Sequence, residues 1–153
     1  MNKLEKLLTQ LETNIPKFDK TNKKISKSNV GWHIEHTLLV LTRITDSLAN
    51  SNPEDYKWKF QFIRIAVFTM KKIPRGKAKS PEVVQPKGNY NIESLTKHLS
   101  NTKARIEELK TMDKNKYFDH PVFGHLKLKQ TINFLEIHTK HHLEIINDIQ
   151  KIV

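Results

Sequence analysis

The chain of 153 residues contains no cysteine, which excludes a disulfide framework, a thiolate-built zinc finger and a cysteine nucleophile. Only four glycines and six prolines interrupt it, so long uninterrupted elements are expected. No apolar run approaches the roughly 18 residues needed to span a bilayer, and mean hydropathy is −0.61. The N-terminal MNKLEKLLTQLETN alternates charge with leucine and lacks the apolar stretch of a secretory signal. These absences point to a cytoplasmic domain without a membrane partner. The length suits a single domain over residues 1–153.

Acidic residues are also scarce. Sixteen of them face 27 lysines and arginines, for a formal net charge of +11. That balance admits nucleic acid or an anionic surface as a partner. Arginine, whose planar fork reads bases, occurs only at Arg43, Arg64, Arg75 and Arg105. The lysines are scattered along the chain among asparagines and isoleucines. The charge therefore reads as a general compositional bias, and sequence-specific nucleic-acid binding is not expected.

What is abundant is helical periodicity. Leu4, Leu7, Leu8, Leu11 and Ile15 recur at three- and four-residue steps before Pro16. After a lysine-rich stretch, a second helix is predicted from about Asn29 to Ala49, apolar nearly all round in its first half. Asn52-Pro53-Glu54-Asp55 reads as a helix start. Tyr56, Phe60, Ile63, Val67 and Met70 then read as one core-facing stripe, with Trp58, Phe62 and Phe68 as core or dimer-interface aromatics. Pro74 to Asn91 is predicted to be a loop, long enough to serve function. Asn91 caps a helix carrying Ile92, Leu95, Leu99, Ile106 and Leu109. A short irregular element around His120–Gly124 precedes a last helix from about Lys127. No β-hairpin signal is evident. The expected fold is all-α, with four long helices and a short N-terminal one.

The last helix carries the chemistry. Its inward stripe runs Leu128, Thr131, Leu135, His138, His142, Ile145, Ile149 and Ile152. His138 and His142 stand where aliphatic residues belong. Two imidazoles four apart on one helix face suit two ligands of one metal ion. Burying an unpartnered imidazole costs roughly 1–3 kcal/mol, so a buried pair implies a purpose. A third ligand must come from a facing helix: His36, one turn after Trp32, or His33, three residues earlier. Glu35 and Glu136 are candidates to orient the imidazoles. His120 and His141 are candidate proton shuttles or simple capping and solvated histidines. His98 reads as a surface residue, and the Arg75-Gly76-Lys77-Ala78-Lys79 cluster as a solvated loop or an anchor for an anionic substrate.

The C-terminal run HPVFGHLKLKQTINFLEIHTKHHLEII resembles the ending of the DinB-like (DinB/YfiT) metalloproteins. The pieces are His120-Pro121, Phe123-Gly124, Gln130, His138 and His141-His142-Leu143. SNVGWHIEHTLLVL is similar to the opening of the family's first bundle helix, and IPRGKAKSP to a loop of one branch of unknown function. The resemblance spans roughly residues 26–150. It places the metal-binding histidines at His36, His138 and His142. One departure stands out: in many members the first histidine lies eight residues after the tryptophan, a position occupied here by Val40, with Ser28 in the tryptophan's usual place.

The resemblance implies a four-helix bundle with a long crossover, a homodimer, and a divalent ion (nickel, zinc or iron) held by three histidines. It also implies a small-molecule substrate such as a low-molecular-weight thiol, with thiol S-transferase-like or hydrolase-like chemistry. A non-catalytic metal-binding or stress-related protein is the alternative, and a basic nucleic-acid-binding module a third. No catalytic residue beyond the metal ligands is identifiable.

Overall fold

A computed structural model describes residues 2–76 and 80–151. Lys77, Ala78 and Lys79 of the basic loop and Ile152 of the last-helix stripe lie outside the described residues. The elements are α1 (Asn2–Asn14), α2 (Val30–Asn50), α3 (Phe62–Met70), α4 (Ile92–Glu108), β1 (Tyr117–His120), β2 (Gly124–Lys127) and α5 (Leu128–Gln150), with one-turn 3-10 helices at Ile15–Lys17, Pro53–Asp55 and Glu82–Val84. The chain is mostly helical, with one small antiparallel sheet.

Each long helix buries the face that its periodicity marks. Leu4, Leu8 and Leu11 of α1 meet Leu95, Leu99 and Ile106 of α4 and Leu135 of α5 in one core, all nearly inaccessible to solvent. α2 packs on α4 and α5, and α1 packs on α5 and α4. α2 begins where Asn29 accepts a hydrogen bond from the Trp32 backbone N–H at 2.8 Å, satisfying an otherwise orphaned donor. Tyr90 Oη donates to the same Asn29 oxygen at 2.8 Å. Gly31 lets that ring close in: a Cβ there would sit 2.5 Å from the Tyr90 ring. Asn91 and Ser94 form a reciprocal capping box on α4.

Two expectations fail. The segment after Asn52 is not one long helix with a buried stripe. Asn52 caps a single 3-10 turn, residues 56–61 form neither helix nor strand, with extended backbone at Tyr56 and Gln61, and only Phe62–Met70 is helical. The sequence Tyr56-Lys57-Trp58-Lys59-Phe60-Gln61-Phe62 alternates aromatic with polar, the period of extended chain. Tertiary contacts hold it so: the Lys57 N–H donates to His125 Nδ1 at 2.9 Å, and Arg64 donates to the carbonyls of Lys59 and Phe123. Trp58, Phe60, Phe62, Ile63 and Met70 are all exposed, while Val67 is buried and Phe68 half-buried.

The second failure is the irregular element, which is a β-hairpin. Tyr117 pairs with Lys127 and His120 with Gly124. Gly124 adopts φ +67, a left-handed conformation natural to glycine. His120 Nδ1 accepts from both the Val122 and Phe123 N–H at 3.1 Å and so shapes the turn. No described helix is long and apolar enough to cross a membrane.

Candidate metal centre

Two helices supply the site. On α2, His33 and His36 are three apart and both buried; on α5, His138 and His142 are four apart on the core stripe. The packing of α2 on α5 brings His36, His138 and His142 together, with one ligand nitrogen from each lying within 4.8 Å of the others. Their ring centroids are 4.6 to 5.3 Å apart. The Trp32 ring stacks on His36 at 5.0 Å and meets His33 edge-on at 5.2 Å. It therefore fixes both rings of α2 from one side.

The donor chemistry fits a divalent ion. His36 Nδ1–H donates to the Val84 backbone carbonyl at 2.7 Å, which leaves Nε2 a free lone pair. Burial pushes the pKa of His36 below its ordinary value, and those of His138 and His142 well below theirs, with neighbouring imidazoles adding to the shift in the latter two. The rings are accordingly neutral at pH 7, the form that ligates metal. His138 Nδ1 is buried with no protein partner, a polar atom whose isolation costs roughly 1–3 kcal/mol and which coordination would satisfy. Three neutral imidazoles suit nickel, zinc or iron better than a hard cation such as magnesium or calcium.

His33 stands behind this set. Its Nδ1 lies 3.0 Å from His142 Nδ1, and its Nε2 lies 2.9 Å from Ser26 Oγ. One Nδ1 must carry the proton and the other accept it. With His142 as donor, its Nε2 is free for a metal, and His33 keeps its own proton at Nε2, facing Ser26. Burial, followed by the charges of His36, His141 and Arg75, lowers the His33 pKa to about 4.

A model of the DinB superfamily matches residues 3–146. The chain belongs to the DinB superfamily. No curated protein and no solved structure matches it. In this DinB chain the departure at Val40 does not disperse the histidines. Val40 is buried among core residues, and His36 faces the α5 pair one turn earlier.

The remaining candidates fall elsewhere. Glu35 bonds His98 at 2.9 Å and Glu136 pairs with Lys3 at 3.1 Å, so these carboxylates are engaged away from the three imidazoles. His98 is a half-buried partner of Glu35 rather than a free surface residue. His120 caps the hairpin turn, its Nδ1 occupied by two backbone donors. Its ring stacks on Phe123 and meets Phe134, which in turn lies 5.7 Å from His138. His141 sits edge-on to His142 at 5.1 Å and lines a cavity with Lys71 and Arg75. The Val84 carbonyl and Ser26 were missed as participants. The only trace of the first is an apolar Val-Val pair within an otherwise polar loop.

Proposed function

We propose that the protein is a metal-dependent enzyme, thiol S-transferase-like or hydrolase-like, in which His36, His138 and His142 hold one nickel, zinc or iron ion. The convergence of three imidazoles from two helices, those of His36 and His142 buried and that of His138 half-buried, with candidate ligand atoms within 4.8 Å, carries this reading. When bound, such an ion lowers the pKa of a thiol or water enough to yield a nucleophile near neutral pH. The chain's own residues prepare the site. The Val84 carbonyl holds His36 in one tautomer, His33 does the same for His142, and Trp32 and Phe134 flank the imidazoles with apolar surface.

The substrate in this reading is a small molecule, with a low-molecular-weight thiol as first candidate from the superfamily resemblance. The reading includes a cytoplasmic location and a four-helix bundle with a long crossover, in which α1, expected as a short extra helix, takes the place of the shortened α3 beside α2, α4 and α5. It also includes a homodimer, supported by the exposed apolar side chains between Trp58 and Met70.

Metal analysis of protein purified without a nickel column tests the proposal. About one divalent ion per chain is expected, and none in the His138→Ala/His142→Ala double variant. Full metal content in that variant overturns the assignment. A second reading, a non-catalytic metal-binding protein stabilised by its ion, draws on one observation. Neither the cavity lined by Lys71 and His141 nor the groove lined by Leu39 and Tyr90 is lined by the three histidines. Turnover of thiol substrates by the metal-loaded protein decides between the two.

A further inference from the structure

A cavity of about 290 Å³ lies between the chain leaving α3 and one side of α5. Lys71, Lys72, Arg75 and Lys140 line it, with Glu144 as the single carboxylate. Four cations around one acid are an unbalanced set, and like charges gathered at one place repel unless a counter-charge joins them. Arg75 is committed to Asp148, its Nη2 donating to Oδ2 at 2.8 Å. Lys140 lies 3.6 Å from Glu144. Lys71 and Lys72 form no ion pair among the described residues. The ammonium groups of this pair therefore remain available to a ligand.

The backbone presents them. Lys71 ends α3 in the left-handed region, φ 51 and ψ 36, the one non-glycine residue with positive φ among those described. That conformation is costly for a residue with a Cβ and is sustained only by its surroundings. It turns the chain sharply, so that Lys71, Lys72 and Ile73 all line the cavity wall.

Size and lining narrow the ligand. The volume stands at the lower end of small-molecule sites, about 300–1,000 Å³, and too small for a nucleic-acid segment. Lysine is a compact point charge that takes carboxylate and phosphate alike. Ile73 and Ile137 add apolar wall, which suits a short carbon skeleton. On α5 the cavity-lining positions adjoin the histidine face: Ile137 precedes His138, and His141 is about 60° around the helix from it.

We propose that this cavity binds the acid group, carboxylate or phosphate, of a small anionic substrate and holds it beside the three-histidine site. The functional part rests on the metal-enzyme reading above; the binding itself does not.

The test is an NMR titration of the full chain at constant ionic strength with succinate, inorganic phosphate and neutral succinamide. Metal content is measured on the same samples. Saturable shifts at residues 71–73 and 140–141 are expected with the anions and none with succinamide. The tighter of succinate and phosphate identifies the acid group. The Lys72→Gln/Lys140→Gln variant, which alters exposed side chains, should bind at least about tenfold more weakly, since charge-assisted bonds dominate such contacts. A Lys23→Gln/Lys24→Gln variant, equal in charge change but in another loop, should stay within about twofold of the parent. No saturable binding, or equal losses in the two variants, overturns the proposal. Anion binding without copurified metal would remove the metal-enzyme reading and leave the cavity standing. Metal without anion binding would do the reverse.

Discussion

His33 Nδ1 and His142 Nδ1 lie 3.0 Å apart and share one proton between two buried rings. With His142 as the donor, a histidine that is not itself in the three-nitrogen set leaves His142 Nε2 free. Loss of such an orienting partner costs roughly 10–100-fold in metal affinity. His33→Ala is expected to weaken affinity about tenfold, and His36→Ala, which removes a proposed ligand, by more. Isothermal titration of both variants checks the order. His33→Asn, which retains a carbonyl acceptor, should recover part of the loss. An affinity unchanged in His33→Ala would mean that His142 is oriented by something else.

Acid should destabilise the fold in a way that His120 makes visible. Burial lowers its pKa to about 4 from an unfolded value near 6.5. Between those limits the unfolded chain binds more protons, so stability falls as pH drops from about 6.5 to 4 and is fully present above. The His120 share is on the order of 2 kcal/mol after allowance for its partial exposure. In His120→Asn, the amide oxygen can still cap Val122 and Phe123 but does not titrate. Denaturant midpoints at pH 7.5 and 4.5 should differ less in this variant than in the parent. An equal difference would place the acid sensitivity in the other histidines.

Gly31→Ala should lower stability. The added methyl would meet the Tyr90 ring at 2.5 Å and the Phe18 carbonyl oxygen at 3.0 Å. Crowding of this kind costs about 1–3 kcal/mol, more than alanine's helical advantage returns at the first turn. A thermal midpoint several degrees below the parent is expected. An unchanged midpoint would show that the Tyr90 ring gives way freely.

Trp58 and Phe62 are 62% and 73% exposed, and their burial between two copies is the simplest use of such a surface. Light scattering of the parent at micromolar concentration should report a dimer, and Trp58→Ser/Phe62→Ser a monomer that keeps its metal. A monomeric parent removes the dimer from the proposal.

The candidate site was legible because its signal is periodic. His138 and His142 interrupt an aliphatic stripe that α5 does bury, through Leu135, Ile145 and Ile149. His36 belongs to the first half of α2, which is apolar nearly all round. What escaped were the contacts that orient the imidazoles, since the sequence offers His33 only as an alternative to His36. His33 depends on a partner 109 residues away, and Val84 contributes a backbone carbonyl, which no side-chain pattern announces. The non-helical run from Tyr56 to Gln61 had an alternating signature, but the helix start at Asn52 and the four-residue spacing of Tyr56 and Phe60 outweighed it. The hairpin strands are four residues each, too short to establish a period of two.

The pairing of α2 with α5 joins segments near opposite ends of the chain, as the 109-residue separation of His33 and His142 shows. An ion shared by these two helices would close a loop of about a hundred residues. In the chain-entropy account, a covalent bridge of that span is worth about 4.7 kcal/mol. A protein without cysteine would thus possess a reversible counterpart of a disulfide, opened by a chelator instead of a reductant.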